Sequence, residues 1–175
     1  MEEKLLIEQI RQGDRQAMHT LYDLSVGRMV AICQRYLTNP EDVKDVVQET
    51  YIQVWQHIDQ LREQHDGALS AWMRRIAVNR CVSLLREKRK LDFVDMGELP
   101  EVEDEPLDIN LLRVEQLHQA IRQLPPGYRT VLNLYVMEQK SHREIAQLLG
   151  IGENTSASQY LRAKAQLRKI LKGMT

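Results

Sequence analysis

Nowhere does this chain carry the roughly 20 consecutive apolar residues that a membrane-spanning helix requires. Its opening residues, MEEKLLIEQIRQGD, are acidic and amphipathic, unlike the basic-then-apolar order of a secretory signal. Both absences favour a soluble chain at work in the cytoplasm. Cysteine is scarce: Cys33 and Cys81 are the two, with no CxxC and no metal-like pairing with histidine. Each stands in a helical, largely apolar context, so buried free thiols in a reducing compartment are expected rather than a disulfide. The five histidines are scattered, with no HExxH or comparable ligand spacing, which argues against a metal site. No grouping of nucleophile, base and oxyanion donors stands out either. Catalysis, a cofactor and a small-molecule substrate are therefore not expected.

Basic residues are missing from one stretch in particular. Residues 93–110 hold Asp95, Glu98, Glu101, Glu103, Asp104, Glu105 and Asp108, seven acids, and no lysine or arginine. Without that strip, 24 basic residues face 18 acidic ones, a formal +6 hidden within a net charge of −1. Flanks that are jointly basic suit a partner that is a polyanion. The strip also holds Gly97, Pro100 and Pro106, and too few apolar residues for a core, so it reads as an acidic linker between domains. With 43% hydrophobic and 28% charged residues over 175 positions, the chain has an ordinary globular composition and room for two small domains.

The most informative stretch is Asn39 to Ile58, NPEDVKDVVQETYIQVWQHI. Asn39 is a capping residue, Pro40 suits the first helical position, and Glu41 and Asp42 put negative charge at the positive end of the helix dipole. At about 100° per residue, Val43, Val46, Val47, Thr50, Val54 and Ile58 fall on one side, a core face. Asp45, Gln48, Ile52 and Trp55 fall on the other, where a lone surface helix should be plainly polar. A mixed surface of that kind binds another protein. The alternative is that Ile52 and Trp55 pack against a neighbouring helix of the same domain.

Around this helix the pattern is helical throughout. Glu2 to Gln12 reads as a short helix with Leu5, Leu6 and Ile10 apolar; Gly13 breaks it and Asp14 caps the next, which runs to about Leu37. That second helix draws apolar surface from residues including Leu21, Leu24, Met29, Ile32, Cys33 and Tyr36. Asp59 to Leu69, with Asp66-Gly67 at its centre, reads as a loop or frayed turn. Ser70 to Lys90 is the next long helix, with Met73, Ala77 and Leu84 inward. Its residues 71–90 carry seven basic side chains (Arg74, Arg75, Arg80, Arg86, Lys88, Arg89, Lys90) against one acid, Glu87. Arg75, Asn79, Val82 and Arg86 share a stripe. Arginine and asparagine there suit phosphates and base edges, although a solvated basic face would look the same.

Beyond the linker, Leu111 to Leu124 is helical until Pro125-Pro126-Gly127 stops it. Tyr128 to Met137 follows, apolar at Val131, Leu132, Leu134 and Tyr135. Ser141-His-Arg-Glu144 is a capping box that opens a short helix, ended by Gly150-Ile151-Gly152. The last helix runs from about Thr155 to Leu171, with Tyr160, Ala163, Leu167 and Ile170 inward. A short capped helix, a glycine turn and a longer basic helix make a helix-turn-helix; helical packing without DNA binding is the plain alternative.

Three segments have wording more specific than their periodicity. Asp45-Val-Val-Gln-Glu-Thr-Tyr-Ile-Gln-Val-Trp55 resembles the helix with which sigma-70-family sigma factors, above all the small extracytoplasmic-function (ECF) group, grip core RNA polymerase. Trp72-Met-Arg-Arg-Ile-Ala-Val-Asn79 resembles the WLxxIAxN signature of the ECF helix that binds the −10 promoter element. LPPGYRTVLNLYVMEQKSHREIAQLLGI resembles the domain that reads the −35 element, a wording shared with the output domains of some response regulators.

The resemblance implies an all-α protein with two small helical domains. Residues 1–92 would be sigma domain two, 93–110 an acidic linker threading the RNA-exit path, and 111–175 sigma domain four with its helix-turn-helix. It assigns polymerase contact to Asp45, Gln48, Ile52 and Trp55. The −10 contacts would be Arg75, Asn79, Arg80, Arg86 and Arg89, with His65 in a base-capturing loop between Gln60 and Ser70. The −35 contacts would be Ser141, Arg143, Asn154, Ser156, Ser158, Gln159, Arg162 and Lys164. Where many ECF proteins have Gly-Thr-Val-Lys-Ser-Arg, this chain has Asn154-Thr-Ser-Ala-Ser-Gln159, so two basic contacts become Ala157 and Gln159. A −35 contact with less charge and an unusual sequence preference is expected. The implied partners are core RNA polymerase, promoter DNA (duplex at −35, single-stranded at −10) and, as in many ECF systems, an anti-sigma factor. A stand-alone helix-turn-helix regulator binding duplex DNA unaided is the competing reading.

Overall fold

The computed structural model describes residues 2–62, 65–93 and 114–174, and among them it contains α-helices, one 3-10 turn and no strand. The chain divides into two compact units, Met1–Leu84 and Leu85–Thr175. The acidic strip beyond Phe93 and the helix start expected at Leu111 lie outside the described residues.

In the first unit, α1 (Glu3–Arg11), α2 (Arg15–Tyr36) and α3 (Pro40–His57) are followed by the 3-10 turn Ile58–Gln60 and by α4 (Ala68–Glu87), whose last three residues run past the boundary at Leu84. The boundaries follow local chemistry. Gly13, at φ +80°, takes a left-handed conformation that a side chain would disfavour. The Asp14 carboxylate then accepts from the backbone N–H of Gln16 and Ala17 at 2.9 and 3.3 Å. Asn39 accepts from Glu41 N–H at 2.9 Å with Pro40 in the first turn. These are the donors that a helix start otherwise leaves unsatisfied.

α4 obtains its cap from a distance. Glu3 of α1 accepts from Gly67 N–H at 2.9 Å and Leu69 N–H at 2.7 Å, while Arg11 of α1 donates to Leu61 O at 2.5 Å. The first helix thus holds both ends of the segment between α3 and α4. With Ala68 and Leu69 buried, α4 begins at Ala68, two positions before Ser70.

The buried residues of this unit include Leu6, Ile7 and Ile10 of α1, Leu21, Met29 and Ile32 of α2, Val46, Val47 and Val54 of α3, and Met73, Ala77, Val78 and Val82 of α4. Several inward positions differ from the expected ones. Leu5 is exposed and Ile7 buried, because the stripe through Leu6 and Ile10 continues through Ile7 and not through Leu5, one helical step away. Leu24 is 69% exposed. Tyr51, off the expected core face, is fully buried: its hydroxyl shares a 2.6 Å hydrogen bond with Ser25, whose own hydroxyl donates to Leu21 O. Burial pushes the Tyr51 phenol above its ordinary range, with the Ser25 bond opposing.

The second unit contains α5 (Val114–Arg122), α6 (Pro126–Val136), α7 (His142–Leu149) and α8 (Glu153–Gly173) around Ala120, Ile121, Leu124, Leu132, Ala163, Leu167 and Leu171. Arg129, 3% exposed, donates from one nitrogen to Arg122 O and Leu124 O, both at 3.2 Å, satisfying carbonyls at the end of α5. The capping box is formed as expected: Ser141 accepts from Glu144 N–H and Glu144 accepts from Ser141 N–H, both at 3.1 Å. Gly150 closes α7 at φ +68°, the left-handed position that favours glycine. α8 begins at Glu153 behind Gly152, slightly before the expected Thr155. Tyr135 is 37% exposed, and Tyr160 and Ile170 are half-buried.

Candidate protein and nucleic-acid interfaces

On α3 the buried face fixes what the other side offers. Asp45 and Gln48 are exposed and Ile52 is 47% exposed. Trp55 differs. It is half-buried, its ring 6.0 Å from that of Tyr51, and with Arg15, Met18, His19 and Tyr22 of α2 it lines a largely apolar hollow of about 390 Å³. The indole Nε1 is buried without a hydrogen-bond partner, an uncompensated donor of a kind that is rare in folded chains. The two alternatives for this face therefore divide between its two large residues: Ile52 is open, and Trp55 packs partly on a neighbouring helix.

On α4 the basic residues are not equivalent. Arg75 and Arg86 are exposed, as are Asn79 beside them and Arg89, which lies past the end of the helix at Glu87. Val82, expected on the same stripe, is 1% exposed and belongs to the core. Leu84, expected inward, is half-buried, and Leu85 is buried instead. Arg80 is drawn aside into an ion pair with Glu49 of α3. The pair lies in a groove of about 360 Å³ with Gln53, Asn79 and Ser83. His65 is exposed, its Nδ1 3.1 Å from Asp66 O, and Gln64 of the same loop lies outside the described residues. Trp72 is half-buried.

In the helix-turn-helix, Ser141 is engaged as the cap of α7, while Arg143 and Asn154 are exposed. The remaining expected contacts depart from the reading. Ser156 is 0% exposed, Gln159 2% and Arg162 9%. Ser156 and Gln159 lie three to four residues apart along the line that continues through Ala163, Leu167 and Leu171, so they extend the buried stripe of α8. The Ser158 hydroxyl donates within its own helix to Thr155 O at 3.0 Å. Lys164 is half-buried with Nζ 4.7 Å from the Tyr160 ring centroid, a cation–π contact. Of the expected −35 contacts, the exposed ones besides the cap Ser141 are thus Arg143 and Asn154.

Two known sequence families match these same segments: sigma-70 region 2 over residues 21–91 and sigma-70 region 4 over residues 114–167. The chain belongs to the ECF sigma factors of the sigma-70 family. It is 28% identical to the "ECF RNA polymerase sigma factor SigW" of Bacillus subtilis, covering 98% of this chain and 97% of that one. It is likewise 28% identical to the "ECF RNA polymerase sigma-E factor" of Escherichia coli K12, over 93% and 90% of the two chains. Among solved structures it resembles CnrH in complex with the cytosolic domain of CnrY (TM-score 0.54, 21% identity, 100% of both chains). A second is the sigma factor RpoE in complex with the anti-sigma factor NepR from Bartonella quintana (TM-score 0.52, 22% identity, 88% of this chain and 96% of that one). At those identities the likeness is one of fold. An ECF sigma factor is a transcription initiation factor without catalysis of its own. No described helix is long and apolar enough to cross a membrane, and no described group of His, Cys, Asp and Glu could hold a metal ion.

Proposed function

We propose that this sigma factor docks on core RNA polymerase through the outer side of α3, with Asp45, Gln48, Ile52 and Trp55 as contacts. The observation that carries this reading is the mixed row of an acid, an amide and an exposed isoleucine on a helix whose opposite face is core. An exposed isoleucine beside hydrogen-bonding groups suits a protein surface better than water. The exposed Arg75, Asn79 and Arg86 of α4 and Arg89 just beyond its end, with His65 ahead of the helix, take the −10 element. Arg143 and Asn154 lead the contacts at −35. Residues 1–92, 93–110 and 111–175 act as the polymerase and −10 domain, the linker and the −35 domain. The factor works in the cytoplasm, where polymerase is, and an anti-sigma protein is its natural restraint, a reading supported by CnrH and RpoE, each of which is seen in complex with another protein.

A pull-down with purified core polymerase tests the reading, comparing wild type with Gln48→Ala/Trp55→Ala after circular dichroism shows that the variant is folded. Stoichiometric binding that the folded variant loses is the expected result. A wild-type chain that ignores polymerase but shifts duplex DNA alone would instead make it an independent regulator.

A further inference from the structure

His142, the first residue of α7, joins three helices, α6, α7 and α8. Its Nδ1 lies 2.8 Å from the Ser156 hydroxyl of α8. Its ring stacks on Tyr135 of α6, with centroids 4.6 Å apart and planes 15° from parallel. Tyr160 of α8 closes the group, 4.3 Å from Tyr135 and 5.8 Å from His142. The charged groups facing this cluster are Glu153 and Lys164, both of α8. Burial holds the imidazole below its ordinary pKa more than Glu153 raises it, so at neutral pH the ring is uncharged and one nitrogen is free to accept.

Ser156 stands where a sequence reading puts a base contact, yet its side chain is fully buried and its hydroxyl is engaged. We infer that His142 and Ser156 form a clamp that sets the recognition helix α8 against α7, so that Ser156 is a positioning residue and reads no base. The inference rests on the −35 reading above. A hydroxyl near the start of a helix otherwise turns to its own backbone. Held by a ring stacked on α6, it instead ties the orientation of α8 to the two helices before it. Base edges are then met by the exposed side chains that this orientation presents.

The test uses holoenzyme made from the full chain and core polymerase, on promoters changed at each −35 base pair in turn. Ser156→Ala and His142→Phe, which keeps the stack but not the bond, should each weaken binding about 2- to 12-fold, the range that one neutral hydrogen bond is worth. The double variant should be no weaker than either single one. Base preference should not change at any position, and His142→Asn, which restores an acceptor near Nδ1, should recover most of the loss. Relaxed discrimination at one base pair in Ser156→Ala alone would overturn the clamp and make Ser156 a contact. The histidine ring is also followed by ¹⁵N NMR in the free chain, where Ser156→Ala should change the tautomer and titration of His142. If wild-type holoenzyme ignores the −35 sequence, the functional reading fails; if the His142 signal is unmoved by Ser156→Ala, the clamp fails by itself.

Discussion

Glu3 lies outside the segment that matches sigma-70 region 2, yet its carboxylate caps α4 by accepting from Gly67 and Leu69 N–H. Replacing it with alanine returns two donors at a helix start to water or to nothing. Loss of a helix cap costs about 0.5–2 kcal/mol, and a hydrogen bond to a charged group is worth about 1.5–3 kcal/mol. The bond to Gly67 is exposed, so water replaces it at little cost; the bond to Leu69 is partly buried. A loss of about 1–2 kcal/mol follows for Glu3→Ala. Glu3→Gln should cost roughly half of that, since it keeps an acceptor but gives up the charge that favours a helix N-terminus. Both tryptophans, Trp55 and Trp72, lie in the first unit, so their fluorescence in a urea titration follows that unit alone. With a slope of about 1–3 kcal/mol per molar urea, the Glu3→Ala midpoint should fall by about 0.3–2 M. Hydrogen exchange at the Leu69 amide should accelerate in step. A midpoint moved by less than about 0.2 M, with Leu69 protection unchanged, would refute the cap.

The elements built on short-range signals were legible in the sequence. Asp14, Asn39, Ser141 and Gly150 each act within a few residues of themselves, and each stands where its chemistry calls for it. The cap of α4 was not legible, because Glu3 reaches it across 64 residues of chain. No local signal announces a pairing of that kind. The same distance effect governs Arg80, which the family resemblance assigns to the −10 contacts and which an acid on another helix draws aside.

Residue type misled most where a polar side chain is buried. Tyr51, Ser156 and Gln159 look like surface residues by composition, but each lies within one helical step of an apolar stripe. Tyr51 and Ser156 each have a hydrogen-bond partner on a second helix. That partner offsets the cost of burying a hydroxyl, and it stands on another helix, which the periodicity of a single helix does not report. Arg129, which family wording records as part of LPPGYR, carries a structural role that the wording does not explain: it satisfies carbonyls at the end of α5.

Arg129→Met should therefore destabilise the protein by about 2 kcal/mol, the cost of removing a charged donor from buried acceptors, read as a lowered thermal midpoint by circular dichroism. The acid limb of stability should reflect Glu144, whose carboxyl is held below its ordinary range by the Ser141 backbone and hydroxyl. Its contribution is present above the unfolded carboxylate value and is lost as pH falls through the folded one, so Glu144→Gln should flatten that limb. His142 acts in the window above, because its folded pKa lies below 6.5. The unfolded chain takes up that proton first as pH drops, so stability should fall from pH 6.5 downward in wild type and less in His142→Phe. Arg80 sets the sharpest contrast within α4. A phosphate contact releases counterions, and removing one lowers the salt slope of DNA binding by about 1. Arg75 is exposed, so Arg75→Ala should show that change in holoenzyme binding to a −10 fragment. The Arg80 charge is already matched by Glu49, and Arg80→Ala should leave the slope where it was. Because both partners remain partly open to solvent, the pair itself is worth no more than about 1 kcal/mol of stability. Glu49→Gln completes the argument: freeing Arg80 should steepen the slope and tighten DNA binding. If Glu49→Gln leaves the slope unchanged while Arg80→Ala lowers it, Arg80 touches phosphate in spite of its partner.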